Sequence, residues 1–207
     1  MRVLVACEFS GVVRKAFRRL GHDAWSCDLL PAEDGSEWHI QGDVRSQLDR
    51  NWDLMVAHPP CTRLTNSGVR WLSVPPAGRT VAEMWTELRE GAEFYRALRD
   101  APIPLKAIEN PVMHKYAREL IGSVRRRQVV QPWWFGEREF KATGWELFGL
   151  PELVATDRLA PPESGTPEHA QWSKVHRASP GPERWKVRSR TLRGPAAAMA
   201  EQWGTRG

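Results

Sequence analysis

The residue of this sequence best placed for covalent chemistry is Cys61, which stands directly behind two prolines. Residues 52–60 read WDLMVAHPP, so an apolar run typical of a buried strand ends in Pro59 and Pro60. Two prolines stiffen the backbone and donate no ladder hydrogen bonds, so they deliver the next side chain at a fixed strand-end position. Cys61 is therefore a candidate nucleophile.

The apolar run before Cys61 is one of several in an alternation of strands and helices. Residues 2–8 (RVLVACE) predict a strand buried on both faces, residues 12–20 an amphipathic helix, and residues 22–30 a second strand. Residues 52–60 and 105–110 predict two more strands, and a long helix begins at Val81 between them. This order predicts an α/β fold with a doubly wound, mostly parallel sheet.

The C-terminal half is less regular. Residues 113–122 predict a short helix, residues 126–136 and 141–150 a β pair, and residues 194–204 a closing helix. Residues 151–184 contain six prolines and little periodicity, which predicts a long, loop-like excursion. We expect residues 1–207 to form a single domain.

Polar residues collect where the predicted parallel strands end. In open α/β sheets, ligands bind outside the carboxyl ends of the strands. Each of these residues alone is equally well explained as a cap or turn residue. The places concerned are Phe9-Ser10-Gly11, Asp28, Gly42-Asp43, Cys61 and Glu109-Asn110-Pro111.

The charge pattern favours a nucleic-acid partner. The chain has a net charge of +5 and a pI near 9.4. Residues 172–207 contain eight basic and two acidic residues, with Trp172 and Trp185 among them. Such a basic segment suits a phosphate backbone, and the alternative is a solvated basic tail.

The number and spacing of the cysteine and histidine residues point to a reduced, cytoplasmic protein. The three cysteines are scattered without CxxC spacing, and Cys7 and Cys27 are best explained as small apolar residues of buried strands. The six histidines lack metal-ligand spacing, so we expect no metal. We also expect no signal peptide, no membrane association and a monomer.

Taken in order, the strand-end motifs resemble the DNA cytosine-C5 methyltransferases, and more closely the short, phage-type members of that family. The motifs are FSG (9–11), an acidic residue ending the second strand, Gly42-Asp43, PPC (59–61) and Glu109-Asn110. The resemblance implies a class I, Rossmann-like fold, S-adenosylmethionine as cofactor and DNA as substrate, with the target cytosine flipped out or single-stranded. It also implies a role in modifying phage or host DNA.

The resemblance assigns three groups of site residues. Asp28 would hold the ribose of the cofactor and Asp43 would reach its adenine. The cofactor-binding residues are Phe9, Ser10, Gly11, Asp28, Leu29, Asp43, Val44 and Pro59. The catalytic residues are Cys61, Glu109, Asn110 and Lys141. The DNA-contacting residues are Arg63, Thr65, Asn66, Ser67, Thr143, Arg188 and Arg190.

The implied reaction explains why Cys61 and Glu109 are needed. A thiolate that adds to carbon-6 of cytosine turns carbon-5 into a nucleophile, and we expect neighbouring positive charge to lower the pKa of Cys61. Glu109 would donate a proton or hydrogen bond to N3, and Asn110 and Pro111 would fix the strand end that aims it. The sequence does not name the base that removes the carbon-5 proton.

Two surfaces are candidates for contact with DNA. Residues 62–79, a polar and basic stretch after Cys61, could close over a flipped nucleotide or be a plain surface loop. Trp133 and Trp134, beside Arg125–Arg127, could be a stacking platform for bases or packing residues. Only residues 110–207 follow Glu109, which leaves no room for a large target-recognition domain and predicts a short target.

Three alternatives remain open at this point. The same fold and thiolate chemistry could transfer a different group, or could act on a free cytosine nucleotide. A non-catalytic DNA-binding protein could also have kept this fold. The cysteine and the glutamate argue against that last alternative, because a binding protein needs neither.

Overall fold

In the part of the chain that the structure describes, seven strands form one mixed sheet in the order β3-β2-β1-β4-β5-β7-β6. The computed structural model describes residues 1–110, 112–122, 127–177, 181 and 184–205, and only the backbone of Arg127, His176 and Val187. The strands are β1 (Arg2–Ala6), β2 (Asp23–Asp28), β3 (His39–Gln41), β4 (Leu54–Ala57), β5 (Leu105–Glu109), β6 (Arg127–Val130) and β7 (Thr143–Phe148).

Strands β1 to β5 are parallel, and β7 runs antiparallel between β5 and β6. The order β3-β2-β1-β4-β5 is that of a doubly wound sheet, which changes direction between β1 and β4. Ligands of such sheets bind outside the carboxyl ends of the two strands between which the direction changes, here β1 and β4. The predicted α/β fold with a mostly parallel sheet is therefore confirmed.

Helices cover both faces of the sheet. They are α1 (Val12–Arg19), α2 (Val81–Asp100), α3 (Lys115–Ile121), α4 (Pro167–Trp172), α5 (Lys174–Arg177), α6 (Arg184–Ser189) and α7 (Arg193–Gly204). Successive residues of β1 alternate between the faces: Val3 and Val5 share a buried cluster with residues of α1 and α7, whereas Leu4 and Ala6 share one with residues of α2 and α3. This two-sided burial explains why the parallel strands are almost wholly apolar.

The expectation of a loop-like excursion over residues 151–184 is wrong in part. Helices α4 and α5 lie within it, and Trp172 is 3% exposed. The Trp172 ring packs on Phe140, with ring centroids 5.6 Å apart, and the side chain of Thr166 caps α4. The buried Trp172 and the cap by Thr166 thus stabilise helical structure in this proline-rich segment. The sequence did not predict these helices because the segment lacks helical periodicity.

None of the described helices combines the length and the apolar character that crossing a bilayer requires.

Candidate active site

Cys61 lies at the carboxyl edge of the sheet, just after β4. The N–H of His58 donates to the carbonyl of Ala6 at 2.9 Å, which holds the end of β4 against β1. The Cys61 carbonyl accepts hydrogen bonds from the N–H groups of Leu64 (2.9 Å) and Thr65 (3.1 Å). Cys61, which is partly exposed, therefore begins a tight turn just beyond the end of β4.

Glu109 and Lys141 come to the same edge from the end of β5 and from the stretch just before β7. Glu109 ends β5, and β7 places Trp145 opposite it. Glu109, Lys141, Thr143 and Trp145 line a cavity of about 20 Å³, which is closed by residues of the C-terminal segment. Asn110 is buried, and its N–H donates to the Gly144 carbonyl at 2.7 Å.

The pKa of Cys61 is raised, which corrects the expectation of a lowered one. Burial is the largest cause, and the nearby carboxylate of Glu109 adds to it. Arg188 and Lys141 do bring positive charge to the thiol, and these charges act in the expected direction. They are outweighed because burial and the Glu109 carboxylate both disfavour a thiolate.

Glu109 is held as a carboxylate. Burial alone would raise its pKa, but a hydrogen bond from His58 and the charges of His58 and Lys141 hold the pKa below its usual value. His58 Nδ1 lies 2.9 Å from Oε2 of Glu109. In this state Glu109 accepts hydrogen bonds and has no proton of its own to donate.

His58 is a site residue that the sequence reasoning missed. Its side chain is 8% exposed, and its ring meets Trp145 edge-on with centroids 5.4 Å apart. The contact with Glu109 joins residues 51 positions apart, so no local pattern indicates it. The available signal was its place directly after β4, at the switch point of the sheet.

Lys141 connects the site to the C-terminal segment. Its Nζ donates to the carbonyl of Arg190 at 2.8 Å. Burial lowers the pKa of Lys141, and the nearby Glu109 and Cys61 oppose that effect.

A second cavity, of about 250 Å³, opens beside Cys61 between β1, β2 and α2. It is lined by four predicted cofactor residues, Asp28, Leu29, Asp43 and Val44, and by Cys7, Cys27, Gly42, Arg45, Pro60 and Phe94. Pro60 takes the place predicted for Pro59, which is buried. Phe94 was missed because the periodicity of α2 identifies only the face that packs on the sheet.

The two acidic residues of this cavity are not equivalent. Asp43 is bound through both carboxylate oxygens to Arg45, whose hydrogen bonds lower the pKa of Asp43. Asp28 accepts one hydrogen bond, from the Leu30 N–H at 3.0 Å through Oδ1. Its other oxygen receives none from the described residues, so Asp28 is the carboxylate free to bind a ligand.

Phe9 and Ser10 line a different, smaller cavity. It measures about 20 Å³ and is also lined by Cys7, Glu8, His58 and residues 189–191. The Phe9 ring lies 5.7 Å from that of Trp185 in α6. Phe9 therefore contacts the C-terminal segment, and neither Phe9 nor Ser10 lines the larger cavity.

Gly11 begins α1 in a conformation that suits glycine. Its φ is +69°, and a Cβ there would overlap the guanidinium of Arg14. The N–H groups of Val13 and Arg14 at the start of α1 donate to the buried carboxylate of Glu8. This end of the helix is thus already occupied by an acidic side chain of the protein.

Cys7 differs from its predicted place inside a strand. It lies just beyond β1 with φ +59°, is partly exposed and lines both the larger cavity and the one beside Phe9. Cys27 is fully buried in β2, as predicted.

The stretch after Cys61 is anchored to α2. Glu87 binds both Arg63 and Arg79, so neither guanidinium is free to meet a phosphate in this conformation. Thr65 and Ser67 bond to each other through their hydroxyls at 2.8 Å, and Asn66 is exposed. Of the four DNA contacts predicted in this stretch, Arg63 is therefore an anchor, whereas Thr65, Asn66 and Ser67 remain accessible.

The basic C-terminal segment lies over the site. Arg188 is close enough for its charge to act on Cys61 and Lys141. Arg190 binds Glu33, in the stretch between β2 and β3, so its charge is already paired.

Trp133 and Trp134 are partly buried side chains covered by Arg158. The Arg158 guanidinium lies 5.4 and 4.8 Å from the two ring centroids. The backbone of this pair also bonds to residues 156–159. Both features favour a packing role for the two tryptophans over base stacking. Three residues named in the sequence analysis, Pro111, Arg125 and Arg126, lie outside the described residues.

Within the described ranges, no group of three or more histidine, cysteine, aspartate or glutamate side chains is arranged to hold a metal ion.

Comparisons with known proteins find similarity among solved structures. No family model and no curated protein sequence matches the chain. The crystal structure of an E. coli prophage-encoded protein, described as a candidate DNA modification methyltransferase, superimposes with a TM-score of 0.44 at 16% identity. The match covers 70% of this chain and 45% of that protein, and so limited an overlap does not identify a function.

Proposed function

We propose that the protein transfers a methyl group from S-adenosylmethionine to carbon-5 of cytosine in DNA. The observation that carries the proposal is the closeness of a strand-end thiol, Cys61, to a partly buried strand-end carboxylate, Glu109, next to a cavity of about 250 Å³. A binding protein has no need of this pair, whereas covalent activation of a cytosine ring needs both groups.

The larger cavity fits the adenosine part of the cofactor. Phe94 and Val44 give it apolar walls, which suit a purine ring. Asp28, with one carboxylate oxygen free of hydrogen bonds from the described residues, suits the two ribose hydroxyls. When bound, S-adenosylmethionine supplies an electrophilic methyl group.

Residues of the chain activate the cytosine ring for methyl transfer. The Cys61 sulfur adds to carbon-6, and the electron pair displaced from the ring moves toward N3 and makes carbon-5 nucleophilic. Glu109 stabilises the charge at N3 by a hydrogen bond or proton. Arg188 and Lys141 favour the thiolate against burial, so reactivity depends on the balance of these charges.

DNA recognition follows from the same chemistry. A cytosine inside a stacked duplex cannot reach Cys61, so the base must be flipped out or single-stranded. Thr65, Asn66 and Ser67, next to Cys61, remain available to contact it. Arg188, near the thiol, is available to contact the phosphate.

The test is mass spectrometry of nucleosides from DNA incubated with the protein and S-adenosylmethionine. The proposal predicts 5-methyldeoxycytidine with wild-type protein and none with Cys61→Ala. A different mass increment would assign a different transferred group, and modification of dCMP but not DNA would assign a nucleotide substrate. No modified nucleoside from any substrate would contradict the enzymatic assignment.

A further inference from the structure

His58 connects Glu109 to the small cavity beside Phe9. Its Nδ1 lies 2.9 Å from Glu109 Oε2. Its Nε2 is buried and has no hydrogen-bond partner among the described residues. The imidazole also lines the cavity of about 20 Å³ that contains Ser10 and Thr191, which is large enough for one hydrogen-bonding water molecule.

The hydrogen bond fixes where one proton of His58 lies. A carboxylate is only an acceptor, so Nδ1 must carry the hydrogen that points at Glu109. The edge-on contact with Trp145 and the backbone bond from His58 to Ala6 hold the ring in this orientation. A second proton on Nε2 would make the ring an imidazolium, and the Glu109 carboxylate would stabilise that charge.

The proposed reaction needs a proton at this place. Glu109 must donate to N3 when Cys61 attacks, yet His58 and Lys141 keep it ionised in the structure. We propose that His58 and Glu109 share one proton, and that His58 supplies the proton that Glu109 donates to the cytosine. This inference rests on the proposed function of the site.

The proton transfer is balanced at each step. As N3 gains electron density, the Nδ1 proton of the imidazolium passes to the Glu109 carboxylate and from Glu109 to N3, so Glu109 ends the step as a carboxylate. The ring is left neutral with its hydrogen on Nε2. When Cys61 leaves, the N3 proton returns to Glu109 and from there to Nδ1. His58 does not touch the base, so it is a positioning and proton-supplying residue.

The other charged groups around His58 set the conditions for this exchange. Glu109 faces it from β5, and Trp145 of β7 carries no charge. Glu8 and Cys7, at the end of β1, line the same cavity, as does Arg190 from the C-terminal segment. Glu8 is bonded to the start of α1 and Arg190 to Glu33, which leaves Glu109 as the direct partner.

The first experiment compares wild-type protein with His58→Asn by NMR of ¹³C-carboxyl-labelled glutamate. Asparagine keeps a side-chain N–H donor but cannot give up a proton or carry a charge. The Glu109 signal is assigned by its loss in Glu109→Gln. We expect the pKa of Glu109 to rise in His58→Asn, because the asparagine N–H can still donate to the carboxylate but no longer brings a positive charge that opposes burial. An unchanged pKa would show that His58 is a neutral donor and would overturn the inference.

A measurement on the unmodified site guards against misfolding of His58→Asn. The ¹⁵N spectrum of His58 in wild-type protein should show a hydrogen on Nδ1, and the signal of that hydrogen should shift in Glu109→Gln, where an uncharged amide replaces the carboxylate. An Nδ1 without a hydrogen, or a signal that is the same in both proteins, would also overturn the inference.

The second experiment is the pH profile of methyl transfer. In His58→Asn, activity should be lost at a lower pH on the alkaline side, because Glu109 alone must hold the proton. A profile that is scaled down but not shifted would contradict proton supply by His58. Wild-type protein that transfers no methyl group would refute the proposed function, whereas the NMR measurements decide the proton-sharing pair separately.

Discussion

At the residue scale, the reactivity of the site depends on opposing effects around one thiol. Burial and Glu109 raise the pKa of Cys61, while Arg188 and Lys141 lower it. Binding of DNA and of the cofactor would alter each of these effects on the pKa of Cys61. The free protein is therefore expected to hold Cys61 mainly as a thiol at neutral pH, which limits side reactions.

The first prediction concerns alkylation of Cys61 by iodoacetamide, followed by peptide mass spectrometry. The rate should rise with pH beyond the usual thiol range, because only the thiolate reacts. Glu109→Gln should speed alkylation at pH 7.5, by about tenfold for each unit that the pKa falls, and Lys141→Met should slow it. Equal rates in the three proteins would show that these charges do not reach the thiol.

The second prediction concerns Asp28 and the cofactor. Asp28→Ala should weaken S-adenosylmethionine binding by about 1.5–3 kcal/mol, the scale of charge-assisted hydrogen bonds. Calorimetry measures the loss, with the exposed Asp49→Asn as a control that should bind normally. Unchanged affinity in folded Asp28→Ala would remove Asp28 from the binding site.

At the element scale, the sequence predicts elements well where periodicity and burial agree. Strands β1, β4 and β5 and helix α2 were predicted because apolar runs or a helical apolar stripe mark them. Strand β3 was not, because it has three residues at an edge. The roles of His58 and Phe94 were also missed, since they come from contacts between distant elements.

The third prediction concerns how α1 is joined to the stretch between β2 and β3. Asp34 pairs with the buried Arg14 at 2.5 Å and with Lys15 at 2.8 Å. Burial would raise the pKa of Asp34, but hydrogen bonds from Lys15 and Arg14 lower it to about 2. The pairing therefore stabilises the fold fully at pH values above the pKa of Asp34 in the unfolded chain, which is near 3.8. This stabilisation is lost as the pH falls toward 2.

Asp34→Asn should accordingly lower the free energy of unfolding at pH 7 by about 1 kcal/mol, less than for a buried pair because solvent screens the charge of the exposed Asp34. Urea unfolding at pH 7 and at pH 2.5 measures the difference, which should shrink at the lower pH. The exposed Glu37→Gln is the control. An equal loss at both pH values would show that shape and not charge is responsible.

At the scale of the whole molecule, positive charge is concentrated in the C-terminal segment that lies over the site. Arg188 acts on Cys61, and Trp185 contacts Phe9. Around the site, the described residues form strand ends, the stretch after Cys61 and the short helix α6 of the C-terminal segment. We therefore expect recognition to depend more on phosphate contacts than on base edges.

The fourth prediction follows from this distribution. Replacing Arg184, Lys186 and Arg188 by glutamine should weaken DNA binding for all sequences and flatten its salt dependence, by about 0.9 in the slope of log K against log salt for each lost phosphate contact. Arg89, Arg96 and Arg118, exposed on α2 and α3, are the matched control with equal charge change. The same slope in both triple variants would remove the C-terminal segment from the DNA-binding surface.

The most direct test of the central claim is covalent trapping on DNA that carries 5-fluorocytosine. Fluorine cannot leave as a proton does, so an enzyme that attacks carbon-6 and transfers a methyl group stays bound to the base. With S-adenosylmethionine, wild-type protein should form a complex that survives denaturation, and peptide mapping should place the bond at Cys61. Cys61→Ala should form none. An adduct that persists in Cys61→Ala, or wild-type protein that methylates cytosine but is never trapped, would contradict the account.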